Sequence, residues 1–244
     1  MAKKALNEMS FLDHLEELRW LLVRSSAAVV IMGIVSYFFA DFIFSDLIFG
    51  PTDPSFITYR FFCEASHYLG FADSICITEL NFIIQNTQME GQVNIFVWVC
   101  ITAGFILAFP YILWELWKFI SPALYEKEKK NAKLFIFVAS ILFFLGVLFG
   151  YYVIVPMSVN FLATFSISSV VKNQFSIDSY VSMVKTAVIA CGLYFELPII
   201  IYFLTKLGLV GPNFLRKYRK YAVVIILIIA AIVTPPDVVS QITV

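Results

Sequence analysis

Long stretches without a single charge constrain this chain more than anything else in it. Val93 to Trp114 carries none, Leu134 to Val171 carries none, and Thr186 to Thr205 carries only Glu196. A membrane span needs about 20 mostly apolar residues. Ser25 to Ala40 and Tyr221 to Pro236 are shorter and also uncharged. These runs predict an all-α integral membrane protein, a single polytopic helical domain over residues 1–244. Five spans are expected, at about 22–40, 93–115, 133–156, 179–205 and 220–235. The fifth is short for a bilayer of about 30 Å.

Composition excludes the soluble alternatives. Apolar residues make up 61% of the chain and charged residues 14%, against about 45–50% and about 25% in a soluble domain. Charges this sparse cannot solvate a domain surface, and the net charge of zero argues against a nucleic-acid partner.

The placement of Lys and Arg sets the orientation. Lys3, Lys4, Arg19 and Arg24 precede or open the first span. Lys118, Lys127, Lys129, Lys130 and Lys133 lie around the second loop, and Lys206, Arg216, Lys217, Arg219 and Lys220 around the fourth. The opposite side holds Arg60 and Lys172, with Lys185 near the start of the fourth span. The N-terminus is therefore expected in the cytoplasm of a multi-pass protein. Residues 1–21 are too charged for a signal-peptide core. Phe11, Leu15, Leu18 and Leu22 share one helical face, with Asp13, Glu16 and Glu17 opposite. They predict an amphipathic helix along the interface before the first span.

Residues 41–92 predict an extracytoplasmic cap, too long for a bare turn. Pro51 and Pro54 break any helix leaving the first span. Cys63 and Cys76 lie in this stretch, where oxidation is permitted, and are a candidate disulfide. Cys100 and Cys191 fall within spans as packing residues. The orientation puts His14 and His67 on opposite sides of the membrane, and the chain has no His-Glu-x-x-His and no Gly-rich phosphate loop. No catalytic set, metal site or cofactor is expected. No internal repeat is visible, which removes the usual sequence support for an inverted-repeat transporter.

Three motifs remain, each with a plain reading beside the functional one. The stretch from Trp117 to Glu128 is a charged hairpin. Ser121 before Pro122 makes a good helix start, and Glu126 to Lys130 is a favourable pair. It reads equally as a solvated loop with interfacial aromatics. Glu196 lies inside a span, where a charge costs about 2.5–3.5 kcal/mol on insertion scales. It is an interspan hydrogen bond, a proton site, or a docking point for a polar residue of a partner span. Asp237 follows Thr234-Pro235-Pro236, either as a membrane-exit turn or as a functional loop.

Four stretches in order then resemble one family. They are His14-Leu15-Glu16-Glu17-Leu18-Arg19, Trp117 through Glu128 (WKFISPALYEKE), Phe195-Glu196-Leu197-Pro198, and Thr234 through Gln241 (TPPDVVSQ). Together they resemble the TatC family, the multi-span receptor subunit of the twin-arginine protein translocase. The resemblance implies a six-span, glove-like bundle in the bacterial cytoplasmic (inner) membrane. It implies binding of twin-arginine signal peptides of folded cargo at the cytoplasmic face, through the positions of Glu17, Arg19, Phe119 and Glu128. It places Glu196 on a concave face for docking partners, and Pro51, Asp237 and Gln241 in extracytoplasmic loops. It implies assembly with single-span subunits of the TatA/TatB type, an oligomeric complex, and export driven by the proton gradient.

Two departures are visible. Only five of six spans are expected in these 244 residues, and the cysteine-bearing loop is longer than the family's. The reading is thus a non-enzymatic receptor core of protein export. The rivals are a proton-coupled small-molecule transporter using Glu196 and a scaffold without ligand.

Overall fold

A computed structural model of the chain describes residues 11–68, 82–121, 132–168, 173–206, 208 and 210–233. Among these residues the longer helices are α1 Phe11–Phe38, α2 Ile57–Tyr68, α3 Gly91–Ile120, α4 Ala132–Phe149, α5 Val155–Thr164, α6 Ile177–Lys206 and α7 Pro212–Val233. Two short strands, β1 Ile83–Gln85 and β2 Gln174–Ser176, pair in parallel with Ile83 opposite Gln174. The all-helical expectation holds but for this pair.

Among the described residues, four helical stretches are long and apolar enough to cross a membrane: His14–Phe38, Gly91–Ile120, Leu134–Thr164 and Ile177–Lys206. They contain most of the first four expected spans. The fifth falls largely within α7, and residues 234–235 lie outside the described ones. A surface helix ending at residue 21 and a separate span from 22 were expected. The structure instead makes one uninterrupted helix, α1. No Gly or Pro occurs between Phe11 and Met32, so nothing breaks the hydrogen-bond ladder there, and a bend would orphan backbone groups.

The chain groups into two compact units. One comprises Met1–Phe38 with Cys100–Ser140, the other Phe39–Val99 with Ile141–Val244. In the first, α1 and α3 touch backbone to backbone. A Cβ at Gly104 would lie 2.5 Å from the Gly33 nitrogen and 2.6 Å from the Val29 carbonyl oxygen. Glycine is what allows this approach.

In the second unit α6 packs against α4 in the same way. A Cβ on Gly146 would lie 2.5 Å from the Cys191 carbonyl oxygen, and one on Gly192 would lie 2.7 Å from the Phe143 ring. Phe143, Ile154, Val155 and Val181 are fully buried in this unit.

Pro156 explains how residues 41–68 attach to the rest of this unit. A proline has no N–H to give to the carbonyl four residues earlier, which here belongs to Tyr152. The π-helical turn Gly150–Ile154 leads into that site. The Thr58 hydroxyl supplies the missing donor to the Tyr152 carbonyl at 2.7 Å. Next to it, the Tyr59 hydroxyl reaches the Pro156 carbonyl at 3.2 Å and the Pro51 carbonyl at 2.9 Å. Burial pushes the Tyr59 phenol above its ordinary value, which keeps it a donor. The Tyr180 hydroxyl donates to the Ile48 carbonyl at 2.6 Å. Buried backbone groups must be paired, and in this unit the Thr58, Tyr59 and Tyr180 hydroxyls pair several of them.

Candidate functional site

Glu17, Leu21 and Arg24 fall on one face of α1, and Glu115, Lys118 and Phe119 on one face of the last turns of α3. Within the first unit these faces enclose a cleft of about 480 Å³. It is lined by Glu16, Glu17, Trp20, Leu21, Arg24, Glu115, Lys118 and Phe119.

The floor of the cleft is Glu115, whose side chain is 4% exposed. Arg24 Nη1 donates to its Oε2 at 3.1 Å. On the other oxygen, Oε1, the Tyr111 hydroxyl donates at 3.3 Å and Lys118 Nζ lies 3.6 Å away. A carboxylate this buried needs such compensation, because its desolvation cost runs to several kcal/mol per ion. Arg24 remains half-exposed and lies 5.9 Å from the Trp20 ring centroid, and the Lys118 ammonium lies 5.0 Å from that of Trp114. At the mouth, His14 stacks on Phe119 with ring centroids 4.4 Å apart. Glu16 and Glu17 are exposed.

The lining has the chemistry to take up a cation. Rim carboxylates match a planar guanidinium bidentately, and flanking aromatic faces attract the same charge.

Glu17 and Phe119, both expected from the sequence, meet at this cleft. Arg19 is exposed on α1 and is not among the lining residues. Glu128, Asp237 and Gln241 lie outside the described residues. Pro51 is buried, its carbonyl held by Tyr59. Cys63 is disulfide-bonded, whereas Cys100 and Cys191 are free, and Cys76 lies outside the described residues.

Sequence reasoning missed Glu115. It ends the apolar run of α3, so it passes for a boundary charge. Tyr111 four residues before it and Lys118 three after it were the available signal, since both reach the same carboxylate on a helix.

Glu196 sits on α6 in the second unit at 5% exposure. Its Oε1 is buried with no hydrogen-bond partner.

The family model described as Sec-independent protein translocase protein (TatC) matches residues 13–244. The Sec-independent protein translocase protein TatC of Blattabacterium (strain BPLAN) is 44% identical, over 99% of this chain and 91% of its own length. TatCy of Bacillus subtilis (strain 168) is 34% identical, over 99% of this chain and 85% of its own. A crystal structure of the twin arginine translocase receptor TatC aligns with a TM-score of 0.72 at 31% identity, covering 94% of this chain and 90% of that one. On these matches, and with four helices able to span a bilayer, the chain is a multi-pass membrane protein that belongs to the TatC family of Sec-independent protein translocase proteins.

Proposed function

We propose that the cleft between α1 and α3 receives the paired arginines of twin-arginine signal peptides, with Glu17 and Glu128 as carboxylate acceptors and Phe119 as an aromatic wall. Arg19, exposed on α1, is proposed to belong to the same recognition region. The observation that supports this most directly is the arrangement of exposed Glu16 and Glu17 with Phe119 and Trp20 around one opening. Lysine presents a point charge without the planar fork, so such a site favours arginine. The deciding measurement is binding of a twin-arginine peptide and its twin-lysine counterpart to the purified full chain in detergent. The twin-arginine peptide should bind at least about tenfold more tightly, the equivalent of one charge-assisted hydrogen bond. Equal affinities would overturn the reading.

In this reading the cleft faces the cytoplasm of a bacterial inner-membrane protein, with the N-terminus on the same side. The Lys and Arg bias supports that orientation. Cysteine labelling of a variant lacking the native cysteines checks it: Lys217→Cys should react with impermeant reagent only from the cytoplasmic face. Reaction from the outer face alone would reverse the orientation.

Glu196 is the proposed docking point for a polar residue on a single-span partner subunit of the TatA/TatB type. Its unpartnered Oε1 supports this, because a buried acceptor without a donor costs about 1–3 kcal/mol. Glu196→Ala should leave melting and signal-peptide binding intact while partner co-purification drops. A fall in melting temperature together with every activity would instead make Glu196 a packing residue. Pro51, Asp237 and Gln241 are assigned to extracytoplasmic loops, Cys63 is paired with Cys76, and export is coupled to the proton gradient.

A further inference from the structure

The geometry points to Arg24 as a resident competitor for Glu115: an arriving guanidinium exchanges with it, and that exchange sets the preference for arginine over lysine. This rests on the signal-binding reading above and adds two residues which that reading does not use.

Glu115 is too buried to stand without a cation, so it can change partners but cannot be vacated. Its two cationic partners differ in how readily they leave. Lys118 is three residues away on the same helix. Arg24 comes from the other helix, is 46% exposed, and reaches the carboxylate through Nη1 alone. The guanidinium of Arg24 thus holds Glu115 through Nη1, on a side chain that is half-exposed and lines the cleft.

Charge bookkeeping points the same way. The lining carries three carboxylates (Glu16, Glu17, Glu115) and two cations (Arg24, Lys118), a net of −1. Removing Arg24 would leave −2 and strengthen the pull on any cation. Arg24 therefore lowers affinity generally, and only a ligand that grips carboxylate at least as well as a guanidinium displaces it. A lysine of the ligand does not match that grip. Specificity here comes from a repulsive element as much as from an attractive one.

The test uses the full chain in detergent, with fluorescent twin-arginine and twin-lysine peptides and the variants Arg24→Gln, Glu115→Gln and the double variant. Arg24→Gln should tighten both peptides, the twin-lysine one more, narrowing discrimination by about fivefold or more. Glu115→Gln should weaken twin-arginine binding by a similar factor, because it frees the Arg24 charge to face the ligand. The double variant should return to within about threefold of the starting affinity. Opposite signs for the two single variants are the signature that a merely structural bridge does not produce. Arg24→Lys, a weaker competitor that keeps the charge, should also narrow discrimination and serves if Arg24→Gln melts early. Single variants that both weaken binding, or that leave it unchanged, overturn the role of Arg24. So does loss of the wild-type melting transition in Arg24→Gln and Arg24→Lys alike. If the unaltered chain does not discriminate between the peptides, the signal-binding reading fails, and this one with it.

Discussion

Gly104→Leu is expected to have the largest effect of any single substitution in the first unit. The new side chain would start 2.5 Å from the Gly33 nitrogen and 2.8 Å from its Cα, both main-chain atoms that cannot swing aside. Overpacking of cores costs about 1–3 kcal/mol even where neighbouring side chains can move. At about 2–4 °C per kcal/mol for a chain of this size, the melting temperature in detergent should fall by roughly 5–10 °C. Binding at the cleft should fall with it, since Glu17 and Glu115 sit on the two helices that would be forced apart. Gly211 supplies the control: a Cβ there meets nothing within 4 Å, so Gly211→Ala should melt normally. If Gly104→Leu melts like the unaltered chain, the close approach of α1 and α3 is wrong.

The second large effect concerns the acidic acceptors. Glu17→Gln and Glu128→Gln each remove one charge and leave size almost unchanged. A charge-assisted hydrogen bond contributes about 1.5–3 kcal/mol, so each variant should bind a twin-arginine peptide at least about tenfold more weakly, with normal melting. Glu17 is exposed, so little stability rests on it. Wild-type affinity in a well-folded Glu17→Gln chain would move the acceptor role elsewhere in the cleft.

The spans were legible in the sequence because lipid imposes a crude rule: about 20 apolar residues in a row. Glu196 was legible for the same reason, as a lone acid inside a charge-free run. The continuity of α1 was not. The charges from Asp13 to Arg24 look like those of a helix lying on a surface, yet several of them line a cleft at the end of a span. Glu115 was hidden at the edge of an apolar run, where one more charge attracts no notice.

The β1–β2 pairing, three residues on each strand, carries too little pattern to be read. The attachment of Thr58 and Tyr59 to Tyr152 and Pro156 depends on which hydroxyl meets which carbonyl, and no periodicity records that. The family itself was legible from four short motifs in order. They point to Glu17 and Phe119, which do meet at the cleft, but not to the Arg24–Glu115 pair beneath them.

The bond from Thr58 to the Tyr152 carbonyl has a consequence in time. Its two residues are 94 positions apart. During synthesis at about 5–20 residues per second, Thr58 joins the growing chain roughly 5–20 s before its acceptor does. Thr58 and Tyr59 therefore cannot be fastened to the Tyr152 and Pro156 carbonyls until those later residues have been made. Up to that moment the Tyr59 hydroxyl has only the nearby Pro51 carbonyl of its two acceptors. A quality-control protease that samples nascent membrane proteins would meet this segment at its most open during that interval, and a slow third insertion would lengthen the exposure.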